Sequence, residues 1–150
     1  MVITDVEEIE PHGGSLQVTV QRTAAKAQPS PRVAALLQDE ERTLTTDTLN
    51  AFRQNVEAQM AAFRDVLAQH KQAGRRVAGY GAPARVSTIC NYGQIGPALI
   101  EFTVDDSPLK QNKYTPGTHI PIVTRTHLET NRPDILVVFA YEYLEDIRKK

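Results

Sequence analysis

The run Ile135-Leu136-Val137-Val138-Phe139 is apolar at every position, and it limits the folds open to this chain more than any other feature. A strand with one face in water alternates apolar and polar residues. An unbroken run is instead covered on both faces, the condition of a central strand in a parallel sheet. The flanking pattern agrees: apolar runs at 76–80 and 100–104 alternate with helical patterns at 84–92, 126–132 and 143–149. Strands that alternate with helices need crossover connections. The sequence therefore predicts an α/β fold with a mainly parallel sheet, and it contains no internal repeat.

The first half reads differently. Val2, Ile3, Val6 and Ile9 alternate weakly, Pro11-His12-Gly13-Gly14-Ser15 breaks the pattern, and Leu16, Val18 and Val20 then alternate with polar residues as a half-buried strand does. Residues 23–31 have the composition of a connecting loop. Ser30 is placed to cap a short helix that opens at Pro31 and runs to about Glu40. Between Thr46 and Gly74, Leu49, Phe52, Val56, Met60, Phe63 and Leu67 recur at spacings of three and four. That period predicts a long amphipathic helix over residues 46–73, roughly 40 Å from end to end. Thr46 or Asp47 is expected to cap it, and Gly74 to take the left-handed conformation at its end.

At 150 residues the chain makes one domain, with a core of its own and no room for two catalytic domains. Seventeen Lys and Arg against eighteen Asp and Glu give a net charge of −1, so no global field draws in nucleic acid or an anionic membrane. Any anion site has to be local. The single cysteine, Cys90, excludes an internal disulfide framework and a Cys-rich metal site, and it reads as a small core residue. With no leader-like opening and no apolar run near the ~20 residues of a membrane helix, the expected location is the cytoplasm.

The residues that could carry binding chemistry begin at the first crossover, Gly79-Tyr80-Gly81-Ala82-Pro83-Ala84-Arg85, which has the G-x-G-x-x-A spacing where a strand hands over to a helix. Glycines let backbone amides approach a phosphate, and a helix N-terminus favours the anion. Pro83 suits the first helical turn. Arg85 is a cation where the helix dipole disfavours one, which points to a nearby anion. The competing account is a tight turn required only for packing; strand, helix and Arg85 together favour the anion site. A little over twenty residues on, Val104-Asp105-Asp106 ends the next strand, where a carboxylate can accept hydrogen bonds from a ribose. Asp105 is the candidate, and Asp106 belongs to a turn. Lys110, Lys113, Tyr114 and His119 then surround a Pro116-Gly117 turn and could converge on a polyanion at the carboxyl ends of the strands. No catalytic and no metal-ligating residues stand out.

These segments, Val77-Ala78-Gly79-Tyr80-Gly81-Ala82-Pro83-Ala84, Asn91-Tyr92 with Ile95-Gly96, the Asp105 strand end, and Lys110-Gln111 through Tyr114 to Pro116-Gly117-Thr118-His119-Ile120-Pro121-Ile122, together with His12-Gly13-Gly14-Ser15-Leu16 and Ser30-Pro31-Arg32-Val33, resemble in order the C-terminal domain of S-adenosylmethionine-dependent sugar C-methyltransferases. The resemblance covers residues 11–147. It implies a three-layer, Rossmann-like domain that helps bind a deoxysugar nucleotide, typically the thymidine diphosphate form. It also implies a separate core, in cis or in trans, that binds S-adenosylmethionine and carries the Tyr-x-Glu-His motif. Neither that motif, nor the core's acidic glycine-rich loop, nor the cysteine pairs of the family's zinc region occurs here. The expected chain is a substrate-side domain, inactive by itself and without a cofactor of its own. It departs from the family pattern at Arg85, where Lys is usual, at Val86 and Ser87, and at Tyr141-Glu142-Tyr143, where a Trp-Asn-Phe-like segment is usual. A carboxylate there would repel a diphosphate.

Two alternatives come from other classes. The glycine spacing and Asp105 also suit a stand-alone NAD-type dinucleotide domain, although the chain has room for one βαβαβ half only. The long helix could instead serve a non-catalytic assembly role, as the interface of a homodimer.

Overall fold

The computed structural model describes residues 1–11, 14–23 and 26–149; the His12-Gly13 pair of the opening motif and part of the 23–31 loop lie outside the described residues. The chain divides into two compact units, Met1–Gln54 and Asn55–Lys150.

In the first unit, β1 (Val2–Ile9) and β2 (Ser15–Gln21) form an antiparallel ribbon with a bulge between Ile3 and Asp5. Helix α1 (Pro31–Thr43) packs on β1 and runs three residues beyond the expected end. Val6 and Val33 are buried, while Leu16, Val18 and Val20 on β2 keep about half of their surface exposed. Ser30 stands at the cap position of α1, but its hydroxyl does not cap the helix. It donates instead to Asp5 Oδ1 at 2.6 Å, and Arg32 Nε donates to the same oxygen at 3.0 Å. These two donors, Ser30 first, hold the Asp5 carboxyl below its usual range. The start of α1 is thus fastened to β1 by a charge-assisted cluster.

Helix α2 (Thr46–Gln72) begins and ends on local signals. Its cap is Thr45, one residue before the expected pair: Thr45 Oγ1 accepts from the Thr48 amide at 3.2 Å. A cap residue lies outside the helix it serves, so the hydroxyl before the first helical residue is the one with the right reach. At the other end Gly74 has φ +73°, Arg75 N–H reaches His70 O at 3.0 Å, and Gly74 N–H reaches Lys71 O at 3.0 Å. This is the paired carbonyl capture of a glycine-terminated helix. Leu67 is 1% exposed and Phe63 packs beside it, whereas Leu49 and Phe52 are exposed.

The second unit is built on β3 (Val77–Tyr80), α3 (Ala84–Tyr92), β4 (Thr103–Val104), β5 (Lys113–Tyr114), β6 (Pro121–Val123), α4 (Arg125–Thr130), β7 (Ile135–Val138) and α5 (Leu144–Lys149). The sheet order is β5-β6-β4-β3-β7; β3, β4, β6 and β7 are parallel and only β5 is antiparallel. The α/β class and the mostly parallel sheet are therefore as expected. The place of the 135–139 run is not: β7 is the outer strand beside β3, and β3 is the fully buried inner one. The apolar run has a different cause. Ile135 and Val137 join a core with Leu67, Val77, Val86, Cys90, Ile95 and Ile100, while Val138 joins a second core with Ala78, Tyr80, Phe102, Val104, Leu128 and Ile147. Leu136, between Ile135 and Val137, keeps 38% of its surface exposed, so the run is covered only in part.

Two short strands, β5 and β6, lie inside the segment that reads as a binding loop. Among the described residues no helix is long and apolar enough to cross a membrane. Cys90 is fully buried, and burial pushes its thiol up to about 11.

Leu67→Ala should lower unfolding stability by about 2–5 kcal/mol through loss of buried methyl groups and the cavity left behind. Urea denaturation at unchanged far-ultraviolet circular dichroism measures it, and a loss below about 1 kcal/mol would contradict the assigned core.

Candidate functional site

The site grows out of the turn between β3 and α3. Gly79 N–H donates to Phe102 O at 2.8 Å, Gly81 N–H to Val104 O at 2.6 Å, and Ala82 N–H to Asp105 Oδ2 at 2.7 Å. Three amides of the glycine segment are thus committed to protein acceptors. The glycines themselves answer to close packing. A Cβ on Gly79 would lie 2.7 Å from Thr103 Oγ1 and 2.9 Å from the Phe139 ring, and one on Gly81, which has φ +87°, would lie 2.8 Å from Ala140 Cβ. Pro83 precedes the first helical residue rather than standing in the first turn. Its missing N–H costs nothing at either position.

Asp105, 8% exposed, joins the turn to the rest of the sheet. Its Oδ2 accepts from Ala82 and, at 3.2 Å, from Lys110 Nζ; its Oδ1 accepts from the Ser107 amide at 2.9 Å. Burial works to raise this carboxyl, but the Ser107 and Ala82 amides and the Lys110 ammonium outweigh it and hold the group below its ordinary value. Its carboxylate accepts three hydrogen bonds from the protein, so Asp105 acts first as a clamp.

Beyond it opens a cavity of about 700 Å³, lined by Tyr80, Gly81, Pro83, Asp105, Asp106, Lys110, Ala140, Tyr143, Asp146, Ile147 and Lys149. The size suits a small organic ligand. Its position is informative. From β3 the chain steps outward through β4 to β6 and then returns to the other side of β3 as β7. The strand order reverses between β3 and β7, and the cavity lies at the carboxyl ends of those strands, where open parallel sheets bind ligands. Two tyrosines stand in the lining, the mostly buried Tyr80 and the exposed Tyr143, and the Tyr80 hydroxyl lies 3.4 Å from Asp106 Oδ1. Asp106, read from sequence as a turn residue, thus faces the cavity.

Of the residues singled out in the sequence, Tyr80, Gly81, Pro83, Asp105 and Lys110 come together in this lining. Gly79 is buried in β3, and Ala82 and Ala84 frame the turn. Arg85 sits just inside α3, where its guanidinium meets Glu142 Oε1 at 2.6 Å and lies 5.2 Å from the Tyr141 ring centre. The Glu142 carboxylate raises the Arg85 pKa further above its ordinary value. Lys113, Tyr114 and His119 are exposed and do not line the cavity. Lys113 and Tyr114 belong to β5, the outermost strand, and the Pro116-Gly117 turn is fixed to α3 by Asn91 Nδ2, which donates to Pro116 O at 2.9 Å. Tyr143, Asp146, Ile147 and Lys149 escaped sequence reasoning. They follow the last strand in a polar helical pattern whose only local signal was the Tyr-Glu-Tyr segment before it. Among the described residues no group of His, Cys, Asp and Glu side chains could hold a metal ion.

The second unit is thus an α/β unit with a ligand-sized cavity at its strand-order reversal. Comparison with known proteins gives it a family. The model of the C-methyltransferase C-terminal domain matches residues 10–150, and the chain belongs to that family. It is also similar to the C-methyltransferase NovU of Streptomyces niveus, with 31% identity over 147 residues. That match takes in 97% of this chain and 35% of the relative, so the chain spans about a third of the length of the curated protein it matches.

The folded pKa of Asp105 is held below the ordinary carboxylate value, so its stabilising contribution is complete above that ordinary value and is lost as pH falls through the lowered one. Asp105→Asn should cost about 1–3 kcal/mol at neutral pH, by weakening buried hydrogen bonds, and should flatten the fall of stability below pH ~4. Denaturation midpoints measured across pH test both; an acid limb as steep in the variant as in the parent would refute the clamp.

Proposed function

We propose that this chain is the substrate-side domain of an S-adenosylmethionine-dependent C-methyltransferase, and that its switch-point cavity holds a deoxysugar nucleotide of the thymidine diphosphate class. The observation that carries this reading is the coincidence of family membership with a cavity of about 700 Å³ at the carboxyl ends of β3 and β7. The order β6-β4-β3-β7 supports a Rossmann-like, three-layer description, in which α2 lays an apolar stripe containing Phe63 and Leu67 on one face of the sheet. Tyr80 and Tyr143 suit a planar base. Asp106, Asp146 and the lysines suit hydroxyl and phosphate groups.

The methyl donor is assigned to a core domain acting in cis or in trans. The glycine turn of this chain has its amides engaged by Phe102, Val104 and Asp105, and with the Tyr-x-Glu-His motif absent from its sequence the isolated chain is expected to be inactive. The cytoplasm is the compartment in which such a substrate would be met. A homodimer through α2 is a compatible second reading, favoured by the exposure of Leu49 and Phe52 on that helix.

Thymidine diphosphate, titrated to millimolar concentration and followed by amide NMR, should shift Tyr80, Gly81, Asp106 and Tyr143 while leaving Lys113 and Tyr114 in place. Shifts confined to β5, or protection of the fold by NAD and not by thymidine diphosphate, would overturn the assignment.

A further inference from the structure

Among the described residues, the cations that line the cavity, Lys110 and Lys149, and Arg85 beside it each have a carboxylate partner. Lys110 Nζ is 3.2 Å from Asp105, Lys149 Nζ is 3.7 Å from Asp146, and the Arg85 guanidinium is 2.6 Å from Glu142. With Asp106 also in the lining, four carboxylates stand against three cations. An anionic ligand therefore meets cations that already have carboxylate partners, and it competes with those carboxylates for them.

The three pairs differ in how readily they exchange. Asp105 is buried and is held by two backbone amides as well as by Lys110, so it cannot leave without opening the β3–α3 turn. The Lys149–Asp146 pair is exposed on both sides and long, which makes it a weak competitor. Arg85 and Glu142 are each about one-third exposed, the contact is short, and the guanidinium also lies over Tyr141. Glu142 is carried by the 3-10 turn Tyr141–Tyr143, and the neighbours of the pair along the chain, Pro83, Ala140 and Tyr143, line the cavity. The pair thus stands where a phosphate entering beside the N-terminus of α3 would need the guanidinium, whose planar fork suits carboxylate and phosphate alike.

We infer that Glu142 is a specificity-determining residue of this site, an internal counter-anion that holds Arg85 until a ligand phosphate takes its place. The inference rests on the nucleotide reading of the cavity and adds to it the group that sets how strongly a diphosphate is selected. Ligand entry then becomes an exchange of one anion for another at Arg85, with the Tyr141–Tyr143 turn moving as the carboxylate leaves. A ligand without phosphate does not disturb the pair.

Inorganic pyrophosphate, titrated into the parent chain and into Glu142→Gln while the Arg85 Nε–H signal is followed by NMR, tests this directly. The variant should bind about tenfold more tightly, and the gain should vanish in the Arg85→Gln, Glu142→Gln double variant. Glu142→Ala should reproduce the gain and guards against a fold defect peculiar to one substitution. Equal affinity in parent and single variants, or an Arg85 signal that responds in none of them, would overturn the role of Glu142. Thymidine, which has no phosphate, scores the cavity separately: it should shift Tyr80 and Tyr143 equally in parent and variant. Its silence would count against the nucleotide reading while the pyrophosphate comparison still decides Glu142.

Discussion

The Asp105 residue is the joint on which the second unit depends. Its amide donates to Val123 O at 3.2 Å, its carbonyl accepts from Gln111 Nε2 at 3.0 Å, and its carboxylate gathers Ala82, Ser107 and Lys110. One residue thereby connects β6, the turn after β3, the end of β4 and the segment leading to β5. A carboxylate buried to this degree is costly unless its lone pairs are filled, and here they are filled by groups that would otherwise be stray donors in a turn. The clamp and the loops it organises are mutually required.

That arrangement changes what the glycines mean. A glycine turn between strand and helix can present bare amides to a phosphate, or it can allow two segments to approach more closely than side chains permit. At Gly79 the second need is met by Thr103 and Phe139, and at Gly81 by Ala140. The same spacing thus serves the architecture of the cavity: it lets β7 and its extension close on β3. Side chains beyond the turn then supply the polar chemistry.

Much of this was legible in the residues, and the misses have physical causes. The α/β class, helix α3 at 84–92 and the start of α1 at Pro31 follow from periodicity and capping chemistry, and the end of α2 follows from Gly74, because these signals are local. Strand order is not local: Ile135 and Val137 pack in one core and Val138 in the other while Leu136 stays exposed, and nothing in an apolar run tells an outer strand from an inner one. β5 and β6 are two and three residues long, too short for alternation to register. At the site, sequence distance misleads in the same way. Lys113, Tyr114 and His119 lie near Lys110 along the chain yet stay outside the cavity, the first two on the edge strand β5, while Tyr143 and Asp146 come from far downstream and reach it.

The cavity wall has two origins. One part comes from β3, the turn after it and the end of β4, all of it fixed by Asp105. The other, Ala140, Tyr143, Asp146, Ile147 and Lys149, comes from the stretch that follows the last strand. The two parts of the wall are therefore separate passages of the chain. Changes at Tyr143, Asp146 and Lys149 would alter the cavity wall while the strand pairings and the Asp105 joint stay as they are; their neighbour Ile147 also packs on the second core. Two members of such a family can share a fold to the last hydrogen bond of the sheet and still recognise different molecules.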